Sequence, residues 1–345
     1  MTVYKKIIIS NFQETFYKRS YMISEIEKNF HRITLRMPYR LRHVNAYLVA
    51  HGKELALFDT GLNAPGAVAT LEEDLKTIGR DPGQITHIYL THIHTDHSSL
   101  AGVLQKLSGA QIHLSPAAFE EYEHYRKADP AVSQLWKFYS RHGMPAHHLN
   151  QVIDEFESIR GVISDFQAAD FLQNRESRTF GDRTFQVLFT PGHSFGHVCF
   201  FFPREGILLA GDHVLPYIAP ILSPNIFDER FRPLKAYLDS FVLLENLPVS
   251  NVLPGHGSYF TDLKERLADI RAHHEKKKAS VAAATGKRPQ TAYDILNTMI
   301  APPASDFDKF LALNEVIIYL QELAEEGAVR ENCASGFLTY RNDKG

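Results

Sequence analysis

Apolar and polar positions alternate from Phe30 to Met37 and again from Asn45 to Phe58. β-Branched and aromatic residues recur there between turn signals, which predicts antiparallel strands. Asp59-Thr60-Gly61 closes the run. Residues 66–79 place apolar side chains at helical spacing and predict an amphipathic helix ending at Gly79, and "ITHIYL" (85–90) predicts a short buried strand. The same logic returns in "RTFQVLFTPGHSFGHVCFFFPREGILLAGDHVL" (183–215), which reads as strand, loop, strand, hairpin, strand. A helix over about 232–246 and a strand in "SNVLPGHG" (250–257) follow. Strands and helices alternating in two halves predict sheets packed between helices.

Residues 116–172 break this alternation. They are helix-rich and carry Phe119, Tyr122, Tyr125, Trp136, Phe138, Tyr139, Phe156, Phe166 and Phe171, including the only tryptophan. A local aromatic core is the plain reading of any single one of these. The segment is too long for a simple connection and is expected to form a helical insertion, a candidate lid. After Gly257 come a polar helix (about 262–284), "TAYDILNTMI", "FDKFLALNEVIIYLQELAEEG" and the hairpin "AVRENCASGFLTYR". Three helices and a wing suggest a winged-helix-like subdomain over 262–345. Residues 1–21 precede the first strand pattern and read as an N-terminal arm or extension, which leaves 22–261 as the main domain.

The chain has 345 residues, 44% of them hydrophobic, enough for a sizeable core. A formal net charge of −3 gives no general attraction to nucleic acid or anionic membrane. Two cysteines, Cys199 and Cys333, are too few for a disulfide framework and suit a reducing compartment. The first residues lack the apolar core of a signal peptide, and no run is long enough to span a bilayer. A cytoplasmic protein without membrane partners is therefore expected, with a homodimer as one possible assembly.

Candidate chemistry concentrates in "YLTHIHTDHSSLAG" (89–102), where His92, His94, Asp96 and His97 fall within six positions. Neither a strand nor a helix would converge all four, whereas a loop between a strand ending near Leu90 and a following helix could. That geometry suits a metal site. Three further ligand-type residues stand at predicted strand ends: His193 in "TPGHSFGH", Asp212 in "LAGDH" and His256 in "LPGHG". Neighbouring glycines let the backbone turn tightly enough to aim each side chain inward. Seven nitrogen and oxygen donors without a thiolate suit two divalent metal ions, zinc first, with iron or manganese as substitutes. The chain has eighteen histidines. Of these, His113, His124, His142, His147, His148, His273 and His274 are expected on the surface or in the lid.

"THIHTDH", "PGHSFGH", "AGDH" and "PGHG", in this order, resemble the metallo-β-lactamase-fold superfamily of hydrolases over roughly residues 30–260. The resemblance implies an α/β protein, an αββα sandwich of the metallo-β-lactamase type, extended here by the helical insertion and the winged-helix-like tail. It also implies that His92, His94 and His193 hold one metal, that Asp96, His97 and His256 hold the other, and that Asp212 bridges them. Asp59 in "LFDTG" matches an acidic turn that orients ligands, or alternatively caps its turn. The cysteine-ligand, antibiotic-hydrolysing pattern is missing, because Cys199 lies in an apolar strand and Cys333 in the wing. The "PGHSFGH" form looks closer to the glyoxalase II-like and lactonase-like branches, although no glutathione-binding signature follows "PGHG".

The expected activity is hydrolysis of an ester, thioester or lactone of a small, apolar acyl substrate by hydroxide held between two cations. Asp96 would orient the hydroxide or pass its proton on. Tyr217, by likeness to related lactonases, would hydrogen-bond the carbonyl, or else plug the space under the lid; His213 is ambiguous. One alternative is a metal-dependent ribonuclease or other phosphodiesterase, since a winged-helix tail accompanies some RNA-cutting relatives. Residues 262–345 hold 12 Lys and Arg against 13 Asp and Glu, which speaks against a nucleic-acid partner. A second alternative is an iron-binding redox protein on the same fold.

Overall fold

The protein is described from a computed structural model that covers residues 22–37, 41–299 and 305–342. The expected arm, residues 1–21, lies outside the described residues. The alternating segments pair as β1 (Met22–Glu27), β2 (Phe30–Arg36), β3 (His43–His51) and β4 (Glu54–Phe58), each antiparallel to the next. From there the sheet turns parallel through β5 (Ile85–Tyr89), β6 (Gln111–Leu114) and β7 (Ala168–Phe171). Parallel neighbours need crossover connections. Here these are α1 (Ala67–Thr77), then α2 (Thr95–Ser98) with α3 (Ala101–Ser108), and then the insertion helices α4 (Pro116–Arg126), α5 (Ala128–Arg141) and α6 (Ala146–Arg160). The insertion thus ends in a strand of the first sheet.

The second sheet runs in the order β12 (Asn251–Pro254), β11 (Ile207–Gly211), β10 (Val198–Phe202), β9 (Arg183–Phe189), β8 (Ser177–Phe180). Helix α7 (Pro233–Glu245) makes the crossover to β12, which is parallel to β11. Phe58, Tyr89 and Val49 of the first sheet meet Phe185, Phe200 and Phe202 of the second in an apolar layer with edge-to-face rings. Helices α1, α3 and α4 cover the outer face of the first sheet. The outer face of the second is covered by α5, α6 and α7 together with the tail helices α8 (Leu263–Ala284), α9 (Ala292–Met299) and α10 (Asp306–Glu325). Two mixed sheets between helical layers result. Among the described residues no helix is long and apolar enough to cross a membrane.

Insertion and tail share one core. Leu135, Phe138 and Tyr139 of α5 and Leu149 and Val152 of α6 pack with Ile295 of α9 and with Leu313, Ile317 and Leu320 of α10. Inside it the Tyr139 hydroxyl donates to Asn314 Oδ1 at 2.7 Å. Trp136 packs against this same core, while Phe119, Tyr122, Tyr125 and Phe166 belong to the first sheet's outer layer. Apart from the exposed Phe171, the aromatics of residues 116–172 thus pack into two core layers, and the change of pattern near 261 is not a change of packing. The tail ends in a hairpin, β13 (Arg330–Ala334) and β14 (Phe337–Arg341).

Three histidines expected at the surface or in the lid are corrected by the fold. His113, His142 and His274 are all buried. Their aromatic rings fit apolar layers once a neighbour takes a ring nitrogen or a face: Asp170 pairs with His113, Phe138 lies against His142, and the Tyr319 hydroxyl is 2.8 Å from His274 Nδ1.

Burial, aided by the charges of His273 and Lys277, pushes the His274 imidazole down to about 4 from its ordinary 6.5. Below pH 6.5 the unfolded chain takes up a proton that the folded chain refuses. Stability is therefore complete above that pH and is lost as pH falls toward 4, by about 3 kcal/mol over the whole interval. Thermal unfolding at pH 7 and pH 5 should show a smaller acid-induced drop for His274→Gln than for the wild type. Equal drops would mean that His274 does not report on this core.

Candidate metal centre

The loops that follow β5, β9, β11 and β12 meet at one edge of the sandwich and carry His92, His94, Asp96 and His97, then His193, Asp212 and His256. Strand β5 stops at Tyr89, and helix α2 begins at Thr95, so the first four residues sit on a strand-to-helix junction. Ligand atoms gather in three overlapping groups, each within 4.8 Å: His92, His94 and His193; His92, His97 and Asp212; Asp96, His97 and His256. Asp212 is central. Its Oδ1 is 3.4 Å from His97 Nε2, and its Oδ2 is 3.5 Å from His193 Nε2 and 3.2 Å from His256 Nε2. Asp96 Oδ2 stands 3.3 Å from His256 Nε2.

Outer partners set which ring nitrogen faces inward. His193 Nδ1 donates to the carbonyl of Ile221 at 2.8 Å, and His256 Nδ1 to that of His43 at 2.7 Å. His97 Nδ1 donates to Asp59 Oδ2 at 2.8 Å. The Thr91 hydroxyl gives its proton to Asp59 Oδ2 (2.8 Å) and so accepts from His92 Nδ1 (2.9 Å). Each of these rings thereby keeps an Nε2 lone pair for the centre. Asp59 also accepts from the Thr91 amide at 2.8 Å and holds a left-handed backbone, φ 57°, which is uncommon for a residue with a side chain. It is an orienting residue.

The electrostatics divide the cluster. Burial and neighbouring imidazoles hold His92 well below its ordinary pKa and bring His94 down to about 3, so both are neutral donors. Burial also works against charge on His97 and His256, but the carboxylates of Asp212 and Asp96 outweigh it, lifting His97 well above its ordinary value and His256 to about 10. This side draws positive charge, which a divalent cation supplies more strongly than a proton.

Three atoms in the cluster are buried without a hydrogen-bond partner: His97 Nε2, His193 Nε2 and Asp212 Oδ1. Buried polar atoms are rarely left so. Donors about 2.0–2.1 Å from a tetrahedral zinc stand about 3.3–3.4 Å apart, close to the separations above. The residues therefore fit divalent metal ions.

Other residues complete the centre. His197, the second histidine of "PGHSFGH", is buried, bonds through Nδ1 to the Thr190 hydroxyl (2.9 Å) and accepts the Asp212 amide on Nε2 (3.2 Å), which steers the central carboxylate. The motif contained this signal. Asn45 and Tyr47 of β3 had no such signal: Asn45 donates to the carbonyls of Pro254 and Gly257, and the Tyr47 hydroxyl donates to that of Pro254 at 2.7 Å. They hold the loop that carries His256. At Gly255 any side chain would overlap the Asp212 carboxylate and the His97 ring, so glycine is required there.

Two expected residues stand outside the ligand groups. Tyr217 is 78% exposed, on the rim beside Gly257, and is not a buried plug. His213 is buried and turns toward α7, where its Nε2 meets the Ser240 hydroxyl at 2.7 Å.

Residues 39–256 match the Metallo-beta-lactamase superfamily. A Bacillus subtilis protein named "Probable metallo-hydrolase YqjP" is 26% identical over 316 residues, covering 86% of this chain and 92% of its own. An Aspergillus chevalieri protein named "Atrochrysone carboxyl ACP thioesterase" is 22% identical over 246 residues, covering 71% of this chain and 61% of its own. Among solved structures, a metallo-beta-lactamase family protein from Thermus thermophilus superposes with a TM-score of 0.81 at 28% identity, covering 92% of this chain and all of that one. The match spans the loops that bring the histidines and aspartates together, and the chain belongs to the metallo-beta-lactamase superfamily as a metallo-hydrolase.

Proposed function

We propose that the chain hydrolyses an acyl bond, in a thioester, ester or lactone, at a dinuclear metal centre. The convergence of seven nitrogen and oxygen donors, with three buried donor atoms unpartnered, carries this reading. His92, His94 and His193 would hold one ion and Asp96, His97 and His256 the other, with Asp212 between them; zinc suits this donor set, as do iron and manganese. The ions would supply a nucleophile from water at neutral pH and polarise the substrate carbonyl.

The chain's own residues do the rest. Asp96 is the carboxylate that reaches solvent, its side chain 19% exposed against 8% for Asp212. Burial raises its pKa, but the His97 and His256 imidazoles outweigh this and hold it below the usual range, so Asp96 is ionised and able to take a proton. As the water oxygen bonds to the carbonyl carbon, Asp96 takes the water proton, and it returns that proton to the leaving sulfur or oxygen when the acyl bond breaks.

The substrate class is read from the rim. Tyr217, Ile218, Ile221 and Tyr259 are exposed on the two loops that carry the Ile221 carbonyl and Gly257 beside the cluster. Exposed apolar side chains gathered at a site suit an apolar acyl group. The name of the Aspergillus chevalieri relative supports a thioester. Tyr217 would lie along the acyl chain and direct its hydroxyl to the carbonyl.

We read residues 262–345 as a winged-helix-like packing module and not a nucleic-acid reader. Its interior faces join the core shared with the insertion, and Lys277 and Lys278 are engaged by Glu315 and Glu326.

Elemental analysis should find about two divalent ions per chain, and Asp212→Ala should lose at least one of them with about 100-fold or more of the activity. A fully loaded, fully active variant removes Asp212 from the centre. On a panel of acyl thioesters, esters, lactones and bis-p-nitrophenyl phosphate, the thioesters should turn over fastest. Tyr217→Ala should raise KM about tenfold for long acyl chains and little for acetyl; preference for the phosphodiester would overturn the acyl reading. In filter binding at low salt the intact protein should retain neither RNA nor DNA, and sub-micromolar, salt-steep binding would restore the nuclease alternative.

A further inference from the structure

The segment Ser194–Gly196 links His193, proposed above as a ligand, to His197, which steers Asp212. Its path therefore sets two imidazoles at once. The segment is held by the insertion. Glu121, on the second turn of α4, accepts three hydrogen bonds from three successive residues: the Ser194 hydroxyl (2.7 Å) and the Gly196 amide (3.0 Å) on Oε2, and the Phe195 amide (3.2 Å) on Oε1. A fourth bond runs from the Ser115 hydroxyl to the Gly196 carbonyl at 2.6 Å, while that hydroxyl caps α4 by accepting from the Ala118 amide. The approach is close enough that a side chain on Gly196 would overlap the backbone of Ala118.

Capping does not need Glu121. Ser115 already serves the helix terminus, and Glu121 makes no ion pair with a cation among the described residues. A partly buried carboxylate without a counter-cation is stabilised by the donors that face it, and here those donors all belong to the 194–196 segment. The bonds fix that segment's backbone just where His193 leaves it, and the Ile221 carbonyl fixes the far side of the ring.

We propose that Glu121 is a positioning residue of the metal centre: through Ser194, Phe195 and Gly196 it sets the direction of His193, and insertion helix α4 is thereby part of the metal-binding machinery. The inference rests on the metal-centre reading given above. Loss of the clamp loosens the backbone on one side of His193 and leaves its direction to the Ile221 carbonyl alone, which weakens the ion held with His92 and His94 and leaves the Asp96, His97 and His256 group in place.

The test is zinc titration against a competing chelator, with thermal unfolding of the metal-free proteins alongside, for wild type, Glu121→Gln, Glu121→Leu, Ser194→Ala and the exposed neighbour Glu120→Gln. Wild type and Glu120→Gln should bind two ions alike. Both Glu121 variants should weaken one ion about 10- to 100-fold and leave the other within about threefold. Ser194→Ala, which removes one bond of three, should shift the same ion by less. A purely structural role would instead lower the unfolding temperature of the metal-free protein and leave both zinc affinities alone. Affinities within twofold of wild type in Glu121→Gln and Ser194→Ala overturn the proposal, and these two variants decide it should Glu121→Leu fail to fold. A wild type that binds no zinc, iron or manganese overturns the metal centre itself, an outcome distinct from a loaded wild type matched by its variants.

Discussion

Two carboxylates, the buried Asp212 and the partly exposed Asp96, lie among the imidazoles at the edge of the sandwich, and this constraint organises everything around them. A buried carboxylate costs several kcal/mol unless positive charge and hydrogen-bond donors surround it. Asp212 meets His97, His193 and His256 within 3.5 Å, and its backbone amide is taken by His197. Three loops from both sheets deliver those rings to the fourth, which carries Asp212, so the two halves of the chain cannot separate without exposing incompatible charge. The same demand for positive charge makes the cluster suitable for divalent cations.

Rings alone would not hold their directions, and a surrounding layer of acceptors does so. Asp59 spans Thr91 and His97, Ile221 and His43 supply carbonyls, and Asn45 with Tyr47 secures the loop after β12. Glycines stand where two such elements come too close for a side chain, at Gly255 beside Asp212 and at Gly196 against α4. Each contact fixes a tautomer or a backbone path before any ion arrives, which is preorganisation in its ordinary physical sense.

The helical parts divide the remaining work. Insertion helices α5 and α6 join α8, α9 and α10 in one core over the second sheet, while α4 and the close of the insertion join the first sheet. An insertion anchored on both layers is a brace, and a lid opening as a unit would have to break both sets of contacts. On the acyl reading proposed above, the substrate-facing apolar surface would instead be the exposed rim at Tyr217, Ile218, Ile221 and Tyr259. Acyl specificity would then be a matter of two short loops, with the insertion behind them serving ligand direction as proposed.

The sequence by itself determined what depends on near neighbours. The pattern from Phe30 to Phe58 specifies strands, and spacing with glycine contexts around His92, His94, Asp96, His97, His193, Asp212 and His256 marks inward-aimed donors, because strand period and turn geometry are set within a few residues; that β3 and β4 are buried on both faces depends on the layers that meet them. Tertiary structure alone decided what depends on distant partners. Glu121 reaches residues 73 to 75 positions away and Tyr47 a carbonyl 207 positions away, and no local period encodes such meetings. His274 reads as polar in a polar helix until Tyr319 arrives from α10 and makes it a core residue, and His142, at the end of α5, reads as polar until Tyr340 stacks parallel to it from the hairpin. Trp136 reads as part of a core local to the insertion, and the packing shows that core to be shared with the tail helices. Burial of such side chains follows from which surfaces meet, and that is settled by the packing of whole layers, not by the pattern along any one element.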